Sequence, residues 1–246
     1  MSRTFPGGLF ARTCLAPVFD LLPSVCDREF QLASAEGFSI DTPDLYCHRC
    51  GETVGPHIRT DRSCPLCSKQ TITWDHIVRL APYTHPMSDW IVSMKFANQW
   101  SWGEWLGERL AEVIDDDSPK RIAVCPVPMH PLRQLARGYN QASIIARIIS
   151  KRHGWPTEKL LRRVKLTPRQ ATLAPSQRID NVKNAFRAKR IDLTGWTIWL
   201  VDDVKTTGST LTTCTKLLKQ SGAEKVNVAV AGVAHPRGSK FEIRTG

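Results

Sequence analysis

The residues best suited to chemistry lie in Ile198-Trp199-Leu200-Val201-Asp202-Asp203-Val204-Lys205-Thr206-Thr207-Gly208-Ser209-Thr210. An apolar run that reads as a strand delivers two consecutive carboxylates to its carboxyl end. A short turn of hydroxyls and glycine then opens a helix. The backbone N–H groups of Thr206 to Thr210 can surround a phosphate at that helix N-terminus, where the dipole favours negative charge. The hydroxyls of Thr206, Thr207, Ser209 and Thr210 add donors, and Gly208 lets the backbone come close. Ionised carboxylates only accept hydrogen bonds, so Asp202 and Asp203 suit a diol or a hydrated Mg²⁺ better than a phosphate. A monophosphate with a vicinal diol beside it describes a ribose 5-phosphate. Ordinary helix capping is the alternative, but it needs one such residue and not a run of them. The segment is not a P-loop, because it lacks the glycine, four variable residues and Gly-Lys-Ser/Thr of that motif.

A second group is made of thiols. Of the eight cysteines, four form the pairs Cys47-His48-Arg49-Cys50 and Cys64-Pro65-Leu66-Cys67, with 13 residues between them. Two such knuckles can wrap one tetrahedral ion, and metal binding would supply the folding energy that a short polar segment cannot draw from a core. The reading is a structural zinc module; four thiolates leave no open position for catalysis. Disulfides are the alternative. The N-terminus lacks the apolar run and cleavage site of a signal peptide, which speaks against them and points to the cytoplasm. Cys14, Cys26, Cys125 and Cys214 stand singly and are expected as buried thiols. His48 is expected on the surface and not as a fifth ligand.

Charge divides the chain. Lys and Arg number 34 against 23 Asp and Glu, a net of +11. Residues 1–118 carry 10 basic against 16 acidic side chains, whereas 119–246 carry 24 against 7, and 151–190 alone carry 12 against 2. This asymmetry implies two functional parts and an anionic partner for the basic one: nucleic acid, a polyphosphate metabolite or an anionic membrane. A solvated basic surface is the alternative. An apolar fraction of 41% with 23% charged residues excludes a disordered or fibrous chain. No stretch approaches the ~18 consecutive apolar residues of a membrane span.

The elements that must position these groups follow from periodicity. Residues 8–23 read as a short helix broken by Pro17 and Pro23, and 27–45 as loop. Ile77 to Tyr83 reads as a strand, and Pro86 to Asn98 and Ser101 to Ile114 as helices. Trp90, Phe96, Trp100, Trp102 and Trp105 could form a base-stacking platform, but tryptophans at helical spacing more often belong to a core. Asp115-Asp116-Asp117 reads as a solvated turn. Beyond it, strands at Ile122–Val127, Thr197–Val201 and Val226–Val233 alternate with helices at Tyr139–Arg152 and Thr210–Ser221. That alternation predicts an α/β fold with a parallel sheet, whose ligands bind beyond the carboxyl ends of the strands. The expected organisation is an N-terminal segment over 1–42, the four-cysteine zinc module over 43–73, a strand and two helices over 74–118 and the α/β part over 119–246.

With these residues in view, the Asp-Asp and Thr-Thr-Gly-Ser-Thr run resembles the 5-phosphoribosyl diphosphate (PRPP) signature of type I phosphoribosyltransferases. The chain as a whole resembles the ComF family of competence-associated proteins, which join an N-terminal zinc module to a phosphoribosyltransferase-type domain. After the Cys pairs come Trp74-Asp75, Tyr83 and Lys95-Phe96, then Pro126-Val127-Pro128, Arg133 and Arg137-Gly138-Tyr139-Asn140-Gln141-Ala142. Thr167, Gln170, Leu173, Arg178, Asn181-Val182 and Ala185-Phe186 precede the PRPP signature, and Gly222-Ala223 and Val226 follow it. Many members carry extra cysteines near the N-terminus, whereas Cys26 has no near partner here, so a second zinc site is not expected.

The resemblance implies a type I phosphoribosyltransferase-like parallel sheet flanked by helices. It implies that Asp202 and Asp203 hold the ribose hydroxyls of PRPP and its Mg²⁺, and Thr206, Thr207, Gly208, Ser209 and Thr210 the 5-phosphate. Arg133, Arg137 and Gly138 would hold the diphosphate, and the residues agree: two guanidiniums four apart reach one anion if the turn is helical. A hood over Thr167, Arg169, Gln170 and Arg178 would close over PRPP and exclude water. The implied reaction is transfer of phosphoribosyl to a nitrogen acceptor with release of diphosphate, in a competence or DNA-uptake setting. No residue stands out as a catalytic base, and none names the acceptor. The competing reading is a non-catalytic protein that binds single-stranded DNA along the basic region 151–190, with Trp155 or Tyr46 stacking a base. Other competence proteins are the remaining candidate partners, with the metal module as an adaptor surface.

Overall fold

A computed structural model describes residues 26–55, 58, 63–67, 70–116, 121–166 and 184–235. The helix expected over 8–23, with Cys14, lies outside them. Along the chain the elements are α1 (Cys26–Ala35), β1 (His76–Pro82), α2 (Met87–Phe96), α3 (Ser101–Val113), β2 (Arg121–Pro126), α4 (Pro131–Arg137), α5 (Gln141–His153), β3 (Leu161–Arg163), β4 (Phe186–Ala188), β5 (Trp196–Lys205), α6 (Ser209–Gln220) and β6 (Lys225–Val233).

Four strands make one sheet in the order β1-β6-β5-β2, every pair parallel. Their apolar runs are buried on both faces, which is why they read as continuous and not as alternating segments. Trp199, Val201, Ala229 and Ala231 point to one side, where α2, α3 and α5 cover them. Ile198, Leu200, Val226, Val228 and Val230 point to the other, against Leu211, Cys214 and Leu218 of α6 and against Leu161 and Phe186. The α3–α5 approach is close because α3 carries small residues: a Cβ added at Gly107 would lie 2.8 Å from the Ile148 Cβ.

The tryptophans belong to this core. Trp90 and Trp102 stack at 4.5 Å between ring centroids, Trp105 meets both edge-on, and each of the three is 4% exposed. They form no base-stacking platform. Phe96, by contrast, is exposed at the end of α2. Cys125 and Cys214 are buried thiols, as their surroundings imply.

Two segments depart from expectation. Within the stretch read as loop, Cys26–Ala35 is a helix: Glu29, Gln31, Leu32 and Ala33 are good helix formers, and the buried Glu29 accepts a 2.6 Å hydrogen bond from the Ser101 hydroxyl at the start of α3. The basic stretch after Leu160 begins as β3, which pairs antiparallel with β4 and sets Arg162 opposite Arg187. Among the described residues no helix is long and apolar enough to cross a membrane.

Candidate functional site

The acidic pair stands where β5 outruns its neighbour. The β2 register ends at Pro126↔Val201, so from Asp202 onward β5 pairs with β6 alone. Alternation sends the two carboxylates to opposite faces. Asp203 shares a face with Trp199 and Val201 and meets Lys95 of α2, whose Nζ lies 2.8 Å from its Oδ2. Asp202 lies on the α6 face, near Arg163 and Cys214. Burial, then the charge of Asp203, push the Asp202 carboxyl up to about 7, while Lys95 and Arg163 pull the other way. Burial works against the Lys95 ammonium, but the two aspartates outweigh it and hold its pKa above the ordinary value. Burial and then the neighbouring Arg133 lower the pKa of Arg163, which Asp202 partly offsets. Lys95, Asp203, Asp202, Arg163 and Arg133 are therefore electrostatic neighbours at the strand end.

The turn of hydroxyls follows directly. Thr206 and Thr207 are exposed, and the Thr207 and Ser209 hydroxyl oxygens are 2.8 Å apart. Gly208 is the N-cap of α6 with φ of +76°, a conformation that glycine adopts at no cost. A Cβ there would lie 3.2 Å from the Trp74 ring. The first N–H groups of α6, the hydroxyls and the helix dipole form a nest of donors beside a pair of acceptors.

Arg133 and Arg137 both lie on α4, a helix of 7 residues capped by the His130 side chain and closed by Gly138 at φ +85°. Arg137 is turned to Gln141, donating at 2.9 Å, and its guanidinium lies 5.5 Å from the Phe96 ring centroid. The rest of the motif stitches this segment down: the Tyr139 hydroxyl donates to the Met94 carbonyl, and Asn140 Nδ2 to the Val127 carbonyl at 3.0 Å. Thr167, Arg169, Gln170 and Arg178 lie outside the described residues; β3 and β4 flank them in sequence.

The four knuckle cysteines converge. Their Sγ atoms all lie within 4.8 Å of one another, with Cys50–Cys64 at 3.5 Å, Cys47–Cys67 at 3.6 Å and Cys64–Cys67 at 3.8 Å. Four sulfurs about 2.3 Å from one tetrahedral ion stand about 3.8 Å apart, and a disulfide would need about 2.0 Å. The thiols are free, so the disulfide alternative falls and the set fits a metal ion. Tyr46 is buried beside them under the Arg79 guanidinium and offers no stacking face. Trp155 is stacked on His153 at 4.1 Å.

Sequence reasoning placed none of three residues of this neighbourhood beside the acidic pair. Lys95 sits in the quoted Lys-Phe pair, but nothing in the spacing ties it to Asp203, 108 positions on. Arg163 is hidden in a run of basic residues from which only its burial separates it. Trp74 stands in the quoted Trp-Asp pair without an assigned role; it is buried, and its ring faces Gly208.

Known proteins share this arrangement of sequence. Residues 109–243 match the phosphoribosyl transferase domain family. Competence protein F of Haemophilus influenzae is 34% identical over 74% of this chain and 82% of its own length. The DNA utilization protein YhgH of Escherichia coli K12 is 31% identical over 76% and 83%. Among solved structures, a purine phosphoribosyltransferase from Pyrococcus horikoshii is 19% identical, covering 64% of this chain and 78% of that one at a TM-score of 0.31. The likeness to Competence protein F extends over most of both chains, and the chain belongs to the ComF family, with a phosphoribosyl transferase domain over residues 109–243.

Proposed function

We propose that the chain binds PRPP with Mg²⁺ and transfers its phosphoribosyl group to a nitrogen nucleophile, releasing diphosphate. One observation carries the reading: two carboxylates at an overhanging strand end, one of them held by Lys95, run straight into a turn of hydroxyls at a helix N-terminus. Asp202 and Asp203 are the acceptors for the ribose hydroxyls and for hydrated Mg²⁺, which screens the diphosphate charge. Thr206 to Thr210 bind the 5-phosphate through N–H and hydroxyl donors. Arg133, joined by Arg163, faces the diphosphate, with Arg137 and Gly138 behind it. Lys95 offsets part of the repulsion between the two adjacent carboxylates before the cation arrives. The four-cysteine set holds zinc, because four soft thiolates in a closed tetrahedron favour that ion and leave it no catalytic position. Reduced thiols fit a cytoplasmic protein.

The test is calorimetric titration with PRPP and Mg²⁺, where one saturable site supports the reading and an absence of heat removes it. A second reading, single-stranded DNA binding, is favoured by β3 and β4. Arg162 and Arg187 stand directly opposite each other and exposed, a pairing that costs stability unless an anion lies over it. Exposed Lys159, Lys165, Lys189 and Arg190 flank them. The relatives' names, competence and DNA utilization, point the same way.

A further inference from the structure

We propose that the four-cysteine module is a working part of the phosphoribosyl site: it clamps the phosphate-binding turn on both sides, so that metal occupancy of the four thiols sets the affinity for PRPP. The inference rests on the reading above for what the turn binds, and on the following contacts for the clamp.

The first contact lies just before the turn. Glu52, two residues past Cys50, is fully buried, and Lys205, the last residue of β5, is 1% exposed. The Lys205 Nζ donates to Glu52 Oε1 at 3.1 Å, a pairing across 153 residues of sequence. The other Glu52 oxygen lies 2.8 Å from His235 Nδ1, and the Ala234 N–H donates to the Lys205 carbonyl at 2.8 Å. The end of β5 is thus gripped through side chain and backbone at once. Glu52 is itself fixed by the knuckle, since its carbonyl accepts from the Cys47 N–H at 3.0 Å.

The second contact lies at the middle of the turn. Trp74 lays its ring against Gly208 and donates from Nε1 at 2.7 Å to the carbonyl of Arg49, between the first two cysteines. The third lies just after it. The Thr212 hydroxyl donates to the Thr71 carbonyl at 2.9 Å, and the Thr73 hydroxyl donates to the Thr212 carbonyl at 3.2 Å. Residues 205, 208 and 212 therefore each touch the module or Trp74, the residue that follows it.

A buried ion pair adds little net stability over an apolar pair of the same volume, so its yield here is register. Among the described residues the module has little apolar interior of its own: Val54, Ile58, Leu66 and Ile72, each only partly buried, pack around the four cysteines. Its shape depends on a metal ion, and whatever it positions depends on that ion too.

Hydrogen exchange on the full-length, metal-loaded protein without PRPP tests the clamp first. Chelation is expected to speed exchange over 206–213 while β2 and α5 stay protected; unchanged exchange over 206–213, or equal loss in β2 and α5, overturns it. Titration with PRPP and Mg²⁺ tests the consequence. Glu52→Gln and the milder variant Thr212→Val, each with its metal content confirmed, are expected to bind PRPP at least about fivefold more weakly. Wild-type affinity in the metal-loaded variants overturns the proposal, and Thr212→Val decides alone if Glu52→Gln does not fold. If the wild type binds no PRPP, the reading of the site fails, and exchange still decides the clamp.

Discussion

Asp202 is the side chain whose protonation the fold changes most usefully. Its carboxyl sits at about 7, against 3.8 for a free aspartate, because burial and Asp203 both disfavour its charge. The native state therefore binds a proton more tightly than the unfolded chain, and this group's contribution to stability falls as pH rises from about 4 to about 7. Asp202→Asn is expected to raise the thermal unfolding midpoint by several degrees at about pH 8 and to leave it unchanged at about pH 4; melting curves across that range check it. A site built to take a cation and a diol at Asp202 needs the charged form. Binding of PRPP with Mg²⁺ should therefore strengthen from about pH 6 to about pH 8 and release a proton, and Asp203→Asn should flatten that dependence by lowering the Asp202 value. At this scale the sequence was legible where chemistry is local. Asp202, Asp203 and the hydroxyls declare themselves by adjacency. Lys95 and Arg163 do not, since their place beside the aspartates is made by the packing of α2 and β3 and has no trace in spacing.

Elements explain why those side chains stay where they are. α6 starts at Gly208 in a left-handed conformation under the Trp74 ring, so Gly208→Ala meets both backbone strain and a 3.2 Å contact. It is expected to cost about 1–2 kcal/mol in urea unfolding and to weaken PRPP binding as well, because the N–H groups it displaces are the donors in the proposed site. Gly107→Ala carries the same change to a place with no ligand. The intrinsic helical gain of about 1 kcal/mol is outweighed by the 2.8 Å approach to the Ile148 Cβ, and a net loss of about 1–2 kcal/mol is expected with PRPP binding unchanged. The long strands and α2, α3, α5 and α6 could be read beforehand, because apolar runs buried on both faces and helical stripes leave a strong pattern. α1 and the β3–β4 pair could not. α1 is short, with Phe30 and Leu32 as its large apolar residues, and β3 and β4 are three residues each, too short for a period to show.

The whole molecule joins an acidic half that clusters four cysteines to a basic α/β half, and the charge between them is more unequal than the proposed small site requires. One PRPP engages a handful of cations, whereas residues 151–190 carry 12. If single-stranded DNA lies over Arg162 and Arg187, its affinity should fall steeply with salt and drop further in Arg162→Ala/Arg187→Ala, while PRPP binding is left intact. Filter or anisotropy binding at several salt concentrations separates the two ligands. The asymmetry itself was plain in composition; the linkage of the halves through Glu52 and Lys205 was not, because a buried pair 153 residues apart has no local signature. Whether the acidic strand end and its turn form one PRPP site is decided by calorimetric titration of PRPP with Mg²⁺ into wild-type protein and into Asp202→Asn/Asp203→Asn. A single saturable site that disappears in the folded double variant is expected; absence of binding to the wild type, or equal binding by both proteins, would contradict it.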